Sequence, residues 1–251
     1  MNALGLSAIA FACIFGATML ATYLRATLPE RHLSTDSRDV VRLSMGVIGT
    51  MAALVLGLLI ASAKSSYDAK TNQVRQLTVN IIVLDQLLAQ YGPETRTLRD
   101  LLRRGTASIA DKIWSERDVV TATTAAFTMS AEAEAFLRRA EELAPQTDTQ
   151  RSIRARIISS ITDLAQTRLS LYAQAGNSVP VPFLVLLVFW LAMIFASFSL
   201  FVSPNPIVIV SFLVSALSAS GALFLILELD RPFTGLMTIS DLPLRHALAP
   251  L

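Results

Sequence analysis

Leu43-Ser44-Met45-Gly46-Val47-Ile48-Gly49-Thr50-Met51-Ala52-Ala53-Leu54-Val55-Leu56-Gly57-Leu58-Leu59-Ile60-Ala61-Ser62-Ala63 is followed at once by Lys64-Ser65-Ser66-Tyr67-Asp68. The first part carries no charge over about 21 residues, enough at about 1.5 Å of helical rise per residue to cross a hydrocarbon core of about 30 Å. The polar part contains no Pro or Gly stop, so the helix is expected to run on out of the membrane. With about 100° between successive residues, Gly46, Gly49, Thr50, Ala53, Gly57 and Ala61 share one sector of this helix, and Lys64 and Asp68 continue it. That face is small from end to end. It admits two readings, close packing against another helix through small residues or the lining of a path surrounded by several copies, with Lys64 and Asp68 at its mouth.

Three further apolar runs surround this one. Residues 4–24 are uncharged and long enough to span; only Met1, Asn2 and Ala3 precede them, so the basic start of a cleaved signal segment is missing and a retained span is expected. Residues 183–202 and 207–229 form the other two, with Pro180 and Pro182 suited to the start of a helix and Ser203-Pro204-Asn205-Pro206 as a turn. The expected organisation is a first transmembrane hairpin (1–63, spans 4–24 and 43–63), a polar helical domain (64–178), a second hairpin (179–230, spans 183–202 and 207–229) and a tail (231–251). The fold class is all-α.

The polar domain reads as helices throughout. Val74, Leu77, Ile81, Leu84, Leu88 and Tyr91 recur at spacings of three and four, a coiled-coil-like seam continuing the second span. Gly92-Pro93 breaks it. A second helix is expected over 94–104 with Leu98, Leu101 and Leu102 inward and its face extended by Ile109, Ile113 and Trp114. The Thr-rich run 121–124 is a poor helix signal. Ser130, followed by Glu132 and Glu134, opens a third helix stopping near Ala144-Pro145. Thr147-Asp148-Thr149-Gln150 has the form of a capping box for a fourth, which carries Ile153, Ile157, Ile161 and Leu164 and closes at Gly176-Asn177.

Composition narrows the function classes. The chain is 53% hydrophobic and 16% charged, with a mean hydropathy of +0.54, so a lipid bilayer is the expected surroundings. A formal net charge of +2 is too small to argue for nucleic acid. Cys13 is the sole cysteine and the two histidines, His32 and His246, lie in separate segments, which leaves no disulfide, thiolate cluster or metal set to expect. No phosphate loop or nucleophile elbow is present, so neither an enzyme nor a cofactor is expected. No acid or base lies at the centre of a span, and the usual mark of an ion-coupled carrier is therefore missing. On the fourth span Ser211, Ser215 and Ser218 form a polar stripe with Ala222, open to reading as helix glue or as part of a water-lined path. Glu228, Asp230 and Arg231 stand at the membrane boundary and are expected to anchor the tail.

The order of two spans, a polar helical domain and two spans, together with Leu229-Asp230-Arg231-Pro232-Phe233-Thr234-Gly235, Pro243-Leu244-Arg245-His246-Ala247-Leu248 and Ala63-Lys64-Ser65-Ser66-Tyr67-Asp68-Ala69, resembles the bacterial bestrophin-like family of four-span membrane proteins. The family takes its name from the bestrophins, pentameric anion channels whose second spans line the pore and whose helical region is cytoplasmic. The resemblance therefore implies a homo-oligomer in the bacterial inner membrane that passes an inorganic ion along the second span. The sequence departs from bestrophins in having Gly46, Gly49 and Gly57 where a bulky neck would be sought. Positive charges near the span ends divide between the two sides, four arginines in the first loop against Lys64, Lys70, Arg75, Arg168, Arg231 and Arg245; with the resemblance, the N terminus, central domain and tail are placed in the cytoplasm. The alternatives are a non-conducting membrane-anchored scaffold and an extracytoplasmic sensor.

Overall fold

The structure, a computed structural model, describes residues 2–27, 35–115, 131–173, 179–203 and 205–247. Among these are eight α-helices and no strand: α1 (Ala3–Thr27), α2 (Thr35–Tyr91), α3 (Arg96–Ser115), α4 (Ala131–Glu141), α5 (Asp148–Ala173), α6 (Val181–Phe201), α7 (Pro206–Leu229) and α8 (Leu242–His246). Four of them, in α1, α2, α6 and α7, are long and apolar enough to span a membrane. The Thr-rich run 121–124, the expected start at Ser130 and the close at Gly176-Asn177 lie outside the described residues. The chain divides into two compact units, Met1–Ser66 with Asn177–Arg231 and Tyr67–Gly176 with Pro232–Leu251.

In the first unit α1 packs against both α6 and α7. Its buried residues are Ala3, Ser7, Ala10, Ile14, Thr18 and Ala21, recurring every three or four positions and nearly all small, so the backbones can approach closely in lipid. The Ser199 hydroxyl on α6 lies 3.0 Å from the Thr18 carbonyl oxygen and against the Thr22 hydroxyl, which is itself 2.9 Å from that same carbonyl. Two hydroxyl protons thus serve three oxygens, a hydrogen-bonded link between spans in surroundings without water. Ala52, Leu59 and Ala63 of α2 share a core with Ala10, Leu187, Leu223 and Ile226. Phe195 and Phe212 bring α6 and α7 together edge to face, 6.3 Å between ring centres, and the Arg38 guanidinium lies over the Phe201 ring. Asn205 caps α7, accepting from the Ile207 N–H at 3.2 Å.

The second unit is built on the seam. Val74, Leu77, Ile81, Leu84, Leu88 and Tyr91 are all buried, and α2 shows no break at Lys64. The first three pack with Ala110 and Ile113 of α3, Leu171 of α5 and Ile239 and Leu244 of the tail. The last three meet Leu98 and Leu102, Phe136 and Ala140, and Ile153 and Ile157. The seam is therefore filled by helices of its own chain.

The turn after α2 explains why the second polar helix begins later than its sequence pattern. Gly92 has φ 137°, a backbone conformation that only glycine adopts readily, and Pro93–Thr95 form a 3-10 turn before α3 starts at Arg96. The Thr95 hydroxyl reaches the Leu88 carbonyl, satisfying one of the acceptors a helix end leaves open. Helix α3 continues to Ser115, beyond the expected 104, because Ala110 and Ile113 extend its buried face. Helix α4 ends at Glu141, ahead of the expected Ala144-Pro145, and Arg154 donates to the Glu141 carbonyl. At α5 the Thr147 hydroxyl accepts from the Gln150 N–H at 3.1 Å, while the Gln150 side chain accepts from the N–H of Gln146 at 2.8 Å and donates to the Tyr91 carbonyl at 3.2 Å. The box thus closes one residue earlier than its standard form and caps the end of α2 as well.

Leu84 is completely buried in this layered core. Its replacement by Ala should lower stability by roughly 2–5 kcal/mol, read as a lower unfolding midpoint of the detergent-solubilised protein by circular dichroism. A midpoint equal to that of the exposed-site control Gln86→Ala would contradict this packing.

Candidate functional site

Helix α2 keeps two faces apart along its length. Ala52, Leu59, Ala63, Val74, Leu77, Ile81, Leu84 and Leu88 are buried and fall within a sector of about 80° when the chain is wound at 3.6 residues per turn. The small face lies about a third of a turn away. Gly46, Thr50, Ala53, Gly57 and Ala61 are exposed along it and Gly49 is half-buried; Lys64 and Asp68 are exposed beyond them. A methyl group added at Gly46, Gly49 or Gly57 would meet, beyond its chain neighbours and the local backbone of its own helix, no described atom within 4 Å. Among the described residues, close packing between spans is accordingly carried by α1, and the small face of α2 is left open. Thr50 directs its hydroxyl to the Val47 carbonyl at 2.7 Å, so this one polar side chain in the uncharged stretch of the face is satisfied by its own helix.

Ser211, Ser215 and Ser218 are likewise exposed. Ser218 bonds the Val214 carbonyl at 2.9 Å. The buried side of α7 is instead Ala216, Ser220, Leu223 and Ile226. Glu228 is buried and Asp230 and Arg231 are half-buried; the N–H groups of Asp230 and Arg231 close the helix on the carbonyls of Ile226 and Glu228.

The family-like tail motif acquires a structural meaning from its neighbours. Phe233 stands edge-on to Trp114 with ring centres 5.6 Å apart, and the Trp114 indole donates to the Ile239 carbonyl at 2.8 Å. Ile239 in turn donates its N–H to the Pro232 carbonyl at 2.8 Å. Leu244 is completely buried in the core. Arg245 pairs with Asp111 of α3 at 2.9 Å and with Asp241 one turn before it. The hydrogen bond from Arg245 holds the Asp241 carboxyl below its ordinary range, and the bonds to Asp241 and then Asp111 raise the guanidinium in return.

Other contacts leave little trace in sequence. Asp85 and Arg99 join α2 to α3 by a two-pronged pair, 2.8 and 2.7 Å, and the bond to Asp85 is the main reason the Arg99 pKa is raised. Fourteen residues and a turn separate the pair, so no periodic pattern announces it. The small stripe of α1 was open to detection, since Ala3, Ser7, Ala10, Thr18 and Ala21 show the same spacing that singled out α2.

Four long apolar helices and an all-helical polar unit define a multi-pass membrane protein. The Bestrophin-like domain family model matches residues 12–244, nearly the whole chain, and the chain belongs to the bestrophin-like family. The match ends at Leu244, the tail residue buried in the second unit. No curated protein and no solved structure matches the chain.

Tail docking has an optical reporter in Trp114 once Trp190 is replaced by Phe. Because the Asp241 pKa is lower in the folded state, its contribution is present at neutral pH and is lost as pH falls through that lowered value. The Trp114 emission should stay constant through the neutral range and red-shift only at pH below the ordinary carboxylate range. Arg245→Ala should show part of that red shift already at pH 7. An emission maximum indifferent to both changes would remove the ion pair from the docking contact.

Proposed function

We propose that the protein is an oligomeric ion channel or passive pore in which the small face of α2, contributed by several copies, surrounds the path. The observation that carries this reading is that Gly46, Gly49 and Gly57 have open space before them on a spanning helix that packs through a different sector, that of Ala52, Leu59 and Ala63. A ring of such faces would be lined by glycine, alanine and the hydroxyl-satisfied Thr50, a largely apolar passage of the kind that gates by losing water. Lys64 and Asp68 would stand at its end and select among ions by charge. Glu228, Asp230 and Arg231 would hold the tail at the membrane boundary, and Ser211, Ser215 and Ser218 would face lipid or a neighbouring copy. The proposed location is the bacterial inner membrane, with the N terminus, the helical unit and the tail in the cytoplasm. Membership of the bestrophin-like family supports a channel over an enzyme.

One observation favours a second reading, a non-conducting membrane-anchored interaction protein. Val79 and Val83, one helical turn apart on the second-unit part of α2, are 50% and 41% exposed, apolar side chains that a partner protein could cover.

Conductance of the purified protein in a planar bilayer tests the channel directly, and silent bilayers from a well-folded oligomer would count against it. Gly57→Leu locates the path. If the face lines a pore, the leucine enters the lumen, the oligomer elutes unchanged in size-exclusion chromatography and ion flux alters. If the face packs between copies, the leucine separates the backbones and oligomer and flux are lost together. No change in either would turn the face toward lipid and refute both.

A further inference from the structure

We infer that Arg25 and Arg38 hold the phosphate of an anionic phospholipid at the end of the first unit where α1 and α6 finish and α2 begins. Arg25 Nη1 and Arg38 Nε are both shut off from water, and neither meets a hydrogen-bond acceptor. A charged donor buried without an acceptor is rare and costly, and phosphate is the group that a guanidinium matches through two parallel bonds. Among the described residues no carboxylate pairs with either arginine. Asp39 lies instead 4.0 Å from Arg42, and both members of that pair are largely exposed.

The fold brings the two groups to one end of the same packed unit. On α1, Arg25 follows Thr22 by three residues and so shares its side of the helix. The Thr22 hydroxyl touches that of Ser199 on α6. Two residues beyond Ser199, the Phe201 ring carries the Arg38 guanidinium, 5.9 Å from the ring centre. Stacking occupies the flat face of a guanidinium and leaves its N–H edge to donate. Arg38 is therefore positioned by an apolar ring that takes none of its hydrogen bonds.

Position along the spans identifies the source of the phosphate as lipid. The uncharged run of α1 stops directly before Arg25, and the apolar helix α6 ends at Phe201. Arg38 stands five residues before the uncharged run that opens at Leu43, about 7.5 Å of helical rise. All three side chains thus fall within a headgroup layer about 5–8 Å deep on each side of the hydrocarbon. Exposed apolar side chains continue inward along the same helices, Leu20 and Leu24 on α1 and Leu43 and Val47 on α2, a surface for acyl chains. Two positive charges without a carboxylate favour a lipid of net negative charge over one whose phosphate is neutralised by its own amine. The inference holds for either orientation of the protein and whether or not it conducts.

Native mass spectrometry of the delipidated full-length protein in detergent, offered equal amounts of phosphatidylglycerol and phosphatidylcholine, tests it. Phosphatidylglycerol should be retained severalfold more than phosphatidylcholine, and Arg25→Gln and Arg38→Gln should each lower its retention severalfold. Arg42→Gln, at the same end but largely exposed, should leave retention unchanged. The circular dichroism midpoint reports whether each variant is folded. Should a Gln variant unfold, Arg25→Lys and Arg38→Lys take its place, keeping the charge without the planar fork, and each should still lower retention. Equal retention of the two lipids, no loss in any folded Arg25 or Arg38 variant, or an equal loss in Arg42→Gln would overturn the site. Inorganic phosphate at millimolar concentration should leave the lipid bound; displacement there would assign the arginines to a free anion and overturn the lipid.

Discussion

A polypeptide inside hydrocarbon has no water to satisfy its amides, so each spanning segment must stay helical until it has left the apolar layer. In α2 this requirement meets a sequence with no reason to stop at the boundary, and the helix extends without interruption from Thr35 to Tyr91. The second unit is built on this one element, whereas in the first unit α1 carries the packing of the spans. Small and medium residues, Ala52, Leu59 and Ala63, fill one sector in the spanning part, where close approach is the source of attraction. Larger ones, Val74 through Leu88, fill the same sector in the polar part, where exclusion of water is the driving force.

The end of α2 has to be abrupt because the next helices return along the same seam. Gly92 provides the reversal through a positive φ, and Thr95 and Gln150 take over the carbonyls that the break would leave open. The cost of ending a long helix in a packed region is thereby offset by polar groups brought from two other elements. Similar accounting governs α4, whose last carbonyl is met by Arg154. These are contacts between residues far apart in sequence, and each depends on the layered core being formed.

The tail shows how a motif can be structural before it is functional. Pro232, Phe233, Ile239 and Leu244 hold a short segment against α3 through an indole hydrogen bond, a ring contact and one fully buried leucine. Arg245 adds a pair to Asp111 at an exposed site, where solvent screening leaves it a modest role beside the apolar contact. Family membership spans this segment as well as the spans.

The four spans, the all-helical class and the buried seam were legible in the sequence because each rests on a local property: uninterrupted apolar length for the spans, periodicity of three and four for Val74 through Tyr91. The small face of α2 was legible as a face, since side-chain size along one helix is also local. Whether that face was occupied was not, because Ala3, Ser7, Ala10 and Ala21 of α1 offered an equivalent surface and only the packed arrangement shows which of the two is covered. The same holds for Asp85 with Arg99 and for Ser199 with Thr18, whose partners carry no spacing rule. Sequence by itself determined which segments are helical and which of their faces are apolar or small, since these follow from the residues of one helix. The tertiary structure alone decided which faces meet, because that choice compares surfaces from distant parts of the chain for shape and hydrogen bonding. That comparison left Gly46, Gly49 and Gly57 open while burying the small stripe of α1.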